Sequence, residues 1–325
     1  MAAIGSDHER TLAGSPVRPA SVLPHAVEFA RVAARTAARA SVDRTWPALT
    51  FETMGTMVSL RLADSDAHTV GESARVEAAE LAMAMFRRWD ERFSLYRDDS
   101  ELSRIARGDI RLTDSSASVR DAYALALTWR DRSNGVFTPH RADGVIDLSG
   151  VVKALAIAEA GAALTSRGLL NWSINAGGDV LVSGEPEGRF EAWQSGDGAM
   201  STGHRMAAPA VVTEHPEWVV AIVNPADRGD VLASVPLRHP LRAVATSGSA
   251  ERGEHIWTAL NGELSPFRQV SVFAADIVTA DVLATAIVAG GEATLNEMTA
   301  RFAIDVLAVL RDGQLLATPG LRRAE

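Results

Sequence analysis

Apolar and polar positions repeat at two periods along this chain, and the switches between them mark its elements. Val58, Leu60 and Leu62 fall on one side of an extended segment, so 51–62 (FETMGTMVSLRL) is predicted as a strand. Gly55 interrupts it, as a bulge or a close backbone approach would. The helical period predicts helices over 70–93, 98–107, 115–133 and 150–167. Asp98, Asp99 and Ser100 are start signals for the second, Asn134-Gly135 stops the third, and Gly168 ends the fourth. Residues 171–183 read as strand, turn and strand, with Gly177-Gly178-Asp179 at the turn. Residues 185–216 are rich in Gly, Glu and Pro, have poor periodicity and read as loops with at most a short strand. Strands follow at 218–223, 231–237, 243–245 and 270–273. Helical stretches begin at Thr279 and Ala293, and a last hairpin spans 304–317. No internal repeat is visible. Helices, then strands, then helices, without regular β–α alternation, predict an α+β fold. Residues 1–45 read as a polar tail plus an amphipathic helix over 26–40, and 46–325 as the folded body.

The stretch 279–290 (TADVLATAIVAG) is apolar almost all round, which predicts a buried helix. Asp281 and Thr285 are its polar exceptions, one turn apart on one face. A buried carboxylate needs a partner. Two readings stand side by side. In one, Asp281 and Thr285 hold a hard cation. In the other, Asp281 faces the dipole at a helix N-terminus and Thr285 bonds its own backbone.

Composition narrows the chemistry. With 325 residues, 47% hydrophobic and 22% charged, the chain has an ordinary globular make-up. A net charge of −9 argues against sequence-independent nucleic-acid binding. The absence of cysteine excludes disulfides, thiolate nucleophiles and cysteine-ligated metals. No membrane span, secretory h-region or lipid-anchor cysteine is read from the sequence, so the expected compartment is the cytoplasm. Arg31, Arg35 and Arg39 form a stripe on the helix over 26–40, read as a solvated face or a packed arm ahead of a membrane-surface helix.

Five ordered segments carry a resemblance. They are Met54-Gly55-Thr56; Phe93-Ser94-Leu95-Tyr96 followed by Ser100-Glu101-Leu102-Ser103-Arg104; Asp147-Leu148-Ser149-Gly150-Val151-Val152-Lys153 leading to Asn175-Ala176-Gly177-Gly178-Asp179; Ala245-Thr246-Ser247-Gly248 with His255-Ile256 and Gly262; and Ala280-Asp281 with Thr285. Each alone is weak. In this order, over about residues 50–292, the chain resembles the ApbE-like FAD:protein FMN transferases. The resemblance leaves out the first 45 residues and implies an ApbE-like, T-fold-related α+β domain of mixed helices and antiparallel sheets around a FAD cleft.

It also implies an activity: Mg²⁺-dependent cleavage of FAD at its pyrophosphate, with FMN passed to a Thr or Ser of an acceptor flavoprotein and AMP released. Asp281 and Thr285 would bind the metal, with the backbone oxygens of Gly150 and Ala284. Lys153 would meet a phosphate; taken by itself it is equally a surface lysine on a first helical turn. Asp147 would bind the nucleotide, or serve as a turn or cap acid. Met54 and Tyr96 would line the isoalloxazine site, or be core residues. Val136, Phe137 and Thr138 would touch the adenosine side. Gly177 and Gly178 allow positive φ beside the flavin, and Asp179 completes their turn. His255, followed by Ile256 at the cofactor, is the candidate general base for the acceptor hydroxyl, or a structural histidine.

The family pattern departs in places. After His255-Ile256 the expected Asp, Pro and Thr are replaced in Trp257-Thr258-Ala259-Leu260-Asn261, before Gly262. Ala154 replaces a glycine, Ala158 an acid with Glu159 one place late, and Thr138 another acid. These losses keep two alternatives open: a Mg²⁺-dependent FAD pyrophosphatase giving FMN and AMP, or a divergent FAD-binding protein without turnover.

Overall fold

The computed structural model describes residues 48–63, 70–186, 217–248 and 264–323. The proposed helix over 26–40 lies outside them. Ten strands and five α-helices follow in the order β1 (Leu49–Thr53), β2 (Thr56–Leu62), α1 (Glu72–Phe93), α2 (Glu101–Ala106), α3 (Ala117–Arg132), α4 (Ser149–Ser166), β3 (Trp172–Ala176), β4 (Asp179–Ser183), β5 (Trp218–Asn224), β6 (Asp227–Leu237), β7 (Ala243–Gly248), β8 (Phe267–Ala274), α5 (Ile277–Arg301), β9 (Asp305–Leu310) and β10 (Leu315–Ala317). Eight strands form one antiparallel sheet in the order β1-β2-β3-β4-β7-β8-β9-β10, and β5 and β6 form a separate two-stranded ribbon. The α+β expectation holds.

Helices α4 and α5 lie on one face of the sheet and α1 packs on α4. Side chains alternate across the central strands. Ala243, Ala245, Val272 and Ala274 join the core under the helices, whereas Val244 and Phe273 face the ribbon with Trp218, Ile222 and Val235. Covering both faces explains why β8 is buried at every residue but Arg268. Gly161 of α4 lets Trp172 of β3 approach; a Cβ there would stand 2.3 Å from the indole. Trp172 Nε1 donates to Thr165 Oγ1 at 3.2 Å, so its polar end is also satisfied.

One expectation changes. The single strand over 51–62 is a hairpin: Thr53 pairs with Thr56 across Met54-Gly55. Both turn residues have positive φ, 52° and 68°, as a two-residue turn matched to strand twist requires. The two helical stretches expected at the C-terminal end are both present, numbered together as α5 and divided at Gly291, where the backbone leaves helical geometry with φ 69°. Helix α5 is also long and apolar enough to cross a membrane by length and composition. In this fold those apolar residues pack on α4, β7 and β8 as a core helix.

Candidate nucleotide and metal site

Asp276 caps helix α5: its carboxylate accepts from the Thr279 N–H at 2.8 Å and from the Thr279 hydroxyl at 2.7 Å. Asp281 therefore sits in the second turn, past the reach of a capping role, because dipole effects fade within the first turn. It is 5% exposed. Thr285, a turn further on, is partly exposed and its Oγ1 lies 3.2 Å from Ser247 Oγ at the end of β7. A carboxylate and a hydroxyl spaced this way form an oxygen donor set suited to a hard cation. Among the described residues no three Asp, Glu or His side chains converge on a common point. A cation here would thus draw the rest of its shell from ligand phosphates or water, as Mg²⁺ commonly does.

Ala284 is fully buried in the same helix, and Gly150 lies in the first turn of α4. By helix geometry their carbonyls point along the helix to the residue four places on. A cation would share these oxygens with the helical ladder. Gly150 has a second constraint: a Cβ there would stand 2.8 Å from the Phe137 ring. The segment carrying Val136 and Phe137 thus closes over the start of α4. Val136 also reaches α5, with its Cγ1 2.9 Å from where a Cβ on Gly290 would be.

Lys153 is 8% exposed, which removes the surface-lysine reading. Its Nζ lies 2.5 Å from Asp179 Oδ2, and Asp179 is wholly buried. The other oxygen of Asp179 accepts from the Thr246 N–H at 3.1 Å. Thr246 in turn shares a 2.8 Å hydroxyl contact with Ser271. The structure thereby brings Lys153, Asp179, Ser247 and Thr285 together on the helix face of the sheet, joined through the Thr246 backbone N–H, while the Thr246 hydroxyl faces the ribbon with Ser271. Asp179 does more than complete a turn, and Ser247 had no assigned role in the sequence reading. The signal for Asp179 was available: a buried lysine demands a buried anion.

The remaining candidates are spread around this group. Asp147 Oδ1 accepts from the Ser149 N–H at 2.9 Å, a local turn that leads into α4. Thr138 is exposed, and its hydroxyl accepts from the His140 N–H at 3.2 Å. Met54 occupies the β1–β2 turn and is partly buried against the core. Gly177 stands beside that hairpin: φ is 61°, and a Cβ would lie 2.4 Å from Thr56 Oγ1. Gly177 and Gly178 line an open cleft of about 530 Å³ with Met57, Val180, Val223 and Arg228. Val180 follows Asp179 in the strand and points to the opposite face, so this cleft opens on the ribbon side. Tyr96 is 96% exposed, which overturns its reading as a core residue and leaves its ring open to a ligand. His255 and Ile256 lie outside the described residues.

Glu159, one place from the expected acid on α4, points away from this group. It accepts from Trp89 Nε1 at 2.5 Å and pairs with Arg88, tying α4 to α1.

The ApbE family model matches residues 54–145 and 140–309. The solved ApbE protein of Thermotoga maritima is similar with a TM-score of 0.62 at 18% identity, over 86% of this chain and 98% of that one. The flavinyl transferase ApbE of Pseudomonas stutzeri, in its apo form, gives 0.61 at 16% identity over the same shares. The flavin transferase ApbE of Vibrio cholerae gives 0.58 at 19%, over 85% and 98%. At such identities the likeness is one of fold. No curated protein sequence matches the chain.

Proposed function

The chain belongs to the ApbE family, and from that premise we propose that it is a flavin transferase which moves FMN from FAD to a Thr or Ser hydroxyl of an acceptor flavoprotein and releases AMP. The observation that carries the reading is Asp281 with Thr285, a carboxylate and a hydroxyl one turn apart on a buried helix whose cap lies elsewhere. The names of the solved ApbE transferases support it.

Asp281 and Thr285 would hold Mg²⁺, with oxygens of Gly150 and Ala284 in the same shell. The ion, when bound, supplies charge neutralisation at the diphosphate. Lys153 donates to a phosphate oxygen from the second turn of α4. Ser247 fixes the direction of the Thr285 hydroxyl. Val136, Phe137 and Thr138 flank the adenosine, with Asp147 at the nucleotide. Met54 and Tyr96 flank the isoalloxazine, near the Gly177-Gly178 turn. The acceptor hydroxyl oxygen forms a bond to the FMN phosphorus while the bridging P–O bond breaks, and AMP leaves with the bridging oxygen. His255, beside Ile256, takes the acceptor proton.

The test is incubation of the purified chain with FAD, Mg²⁺ and an acceptor flavoprotein bearing a flavinylation threonine. An FMN mass adduct with matching AMP release is expected. Free FMN and AMP without an adduct would make the chain an FAD pyrophosphatase. FAD bound and intact for hours in excess Mg²⁺ would make it a binding protein.

A further inference from the structure

We propose that Asp179 is a positioning residue that couples the phosphate-facing lysine to the metal seat, an inference that rests on the transferase reading above. Three observations meet in this one side chain. Asp179 is wholly buried, and its Oδ2 anchors Lys153 Nζ at 2.5 Å. Its Oδ1 holds the Thr246 N–H at 3.1 Å, one residue before Ser247, whose hydroxyl meets Thr285. The third is the ladder between β4 and β7. It consists of only Val180 with Val244 and Leu181 with Ala243. At the site end of that ladder backbone pairing stops, and the carboxylate of Asp179 takes the amide that a strand partner would otherwise take.

One carboxylate therefore fixes two things. It sets where the ammonium of Lys153 sits, because an ion pair in a dry, low-dielectric site is held strongly. It also sets where the end of β7 sits against α5. Substituting its charge leaves the fold with most of its contacts but frees the lysine from its anchor. Its effect must then pass through Lys153, which distinguishes positioning from general support.

A double-variant cycle with Asp179→Asn and Lys153→Gln tests this, since the asparagine keeps an acceptor for Thr246 and the pair of changes removes both buried charges together. Two quantities are read: the rate of AMP release with FAD and Mg²⁺, and the preference for FAD over riboflavin in flavin-fluorescence binding without Mg²⁺. Asp179→Asn is expected to slow AMP release at least tenfold and to change the FAD preference at least threefold. In the Lys153→Gln background the same change is expected to alter either quantity less than twofold. Equal effects in both backgrounds, or none in the first, overturn the proposal. If Asp179→Asn does not fold, Asp179→Ser, which also removes the charge and keeps an acceptor for the Thr246 N–H, takes its place in both backgrounds under the same expectations. Binding by the wild-type chain is read first. No binding of FAD sinks the transferase reading and the proposal together. FAD bound with AMP released, but with additive effects, sinks the proposal alone. Where FAD binds without turnover, the binding preference decides it.

Discussion

Ser247 Oγ stands 3.2 Å from Thr285 Oγ1, joining the end of β7 to the third turn of α5. A threonine hydroxyl that ligates a cation must present a lone pair in one direction, and a second hydroxyl opposite it restricts that rotation. Ser247→Ala is expected to weaken Mg²⁺ dependence and slow AMP release by roughly tenfold, the usual scale for losing a group that orients a metal ligand. A magnesium titration of AMP release reads it; an unchanged half-saturation concentration removes the orienting role.

Asp281→Ala is expected to abolish Mg²⁺-dependent turnover, a loss on the order of a hundredfold or more, since the sole carboxylate of the proposed donor set goes with it. The fold is expected to survive, because the core around α5 is otherwise apolar. Circular dichroism establishes folding and chromatography of AMP establishes turnover. Normal turnover in the folded variant makes the metal assignment wrong.

Glu159 decides whether the displaced acid on α4 has kept a catalytic duty. Its contacts are Trp89 and Arg88 on α1. Glu159→Ala is therefore expected to lower stability by about 1 kcal/mol, through one charge-assisted bond to the indole and a half-exposed ion pair. FAD affinity should stay the same. A loss of FAD affinity without a fall in melting temperature contradicts this.

Gly161→Ala places a methyl 2.3 Å from the Trp172 ring, so α4 must move away from β3 or the indole must rotate. Overpacking of this kind is expected to cost about 1–3 kcal/mol. Urea unfolding measures it, and a neutral result would mean the helix shifts freely.

Burial raises the pKa of the Asp90 carboxyl above its ordinary 3.8, with Arg97 opposing and Glu91 adding to the rise. The folded state then holds this proton more tightly than the unfolded chain does. Stability falls as pH climbs from 3.8 through the raised value, and the penalty is complete at neutral pH. Asp90→Asn is expected to raise the melting temperature at pH 7 and to confer no gain below about pH 3, where both states are protonated. A gain that persists at low pH assigns the effect to something other than charge.

Most elements were legible from period alone because the sheet and helices obey it: α1, α4 and β3–β4 lie where the apolar spacing puts them. The β1–β2 turn was not. Its first residue is Met54 rather than the Asn or Asp that usually marks a turn with two positive φ values. Asp281 and Thr285 were legible as a pair because four residues of sequence already place them together. Lys153 and Asp179, or Ser247 and Thr285, meet only once helices dock on the sheet, and sequence spacing carries no record of that docking. The Tyr96 ring lies outside the core because Ser94 and Tyr96 form a tight local turn, with the Tyr96 N–H donating to Ser94 Oγ at 3.3 Å.

Strand β4 pairs directly with β7, so the β5–β6 ribbon, which lies between them in the chain, is a side excursion from the main sheet. Its neck is held shut where the Val182 N–H donates to the Arg242 carbonyl at 2.9 Å and the Arg242 guanidinium donates to the Gly184 carbonyl at 3.0 Å. Lengthening such a closed loop adds little entropic cost. Relatives can therefore remodel the excursion, and with it whatever touches the ribbon cleft, while the residues at the neck keep their places. The part of the molecule open to invention thus joins the main sheet at one end of the β4–β7 ladder, and the Asp179–Thr246 contact closes the other.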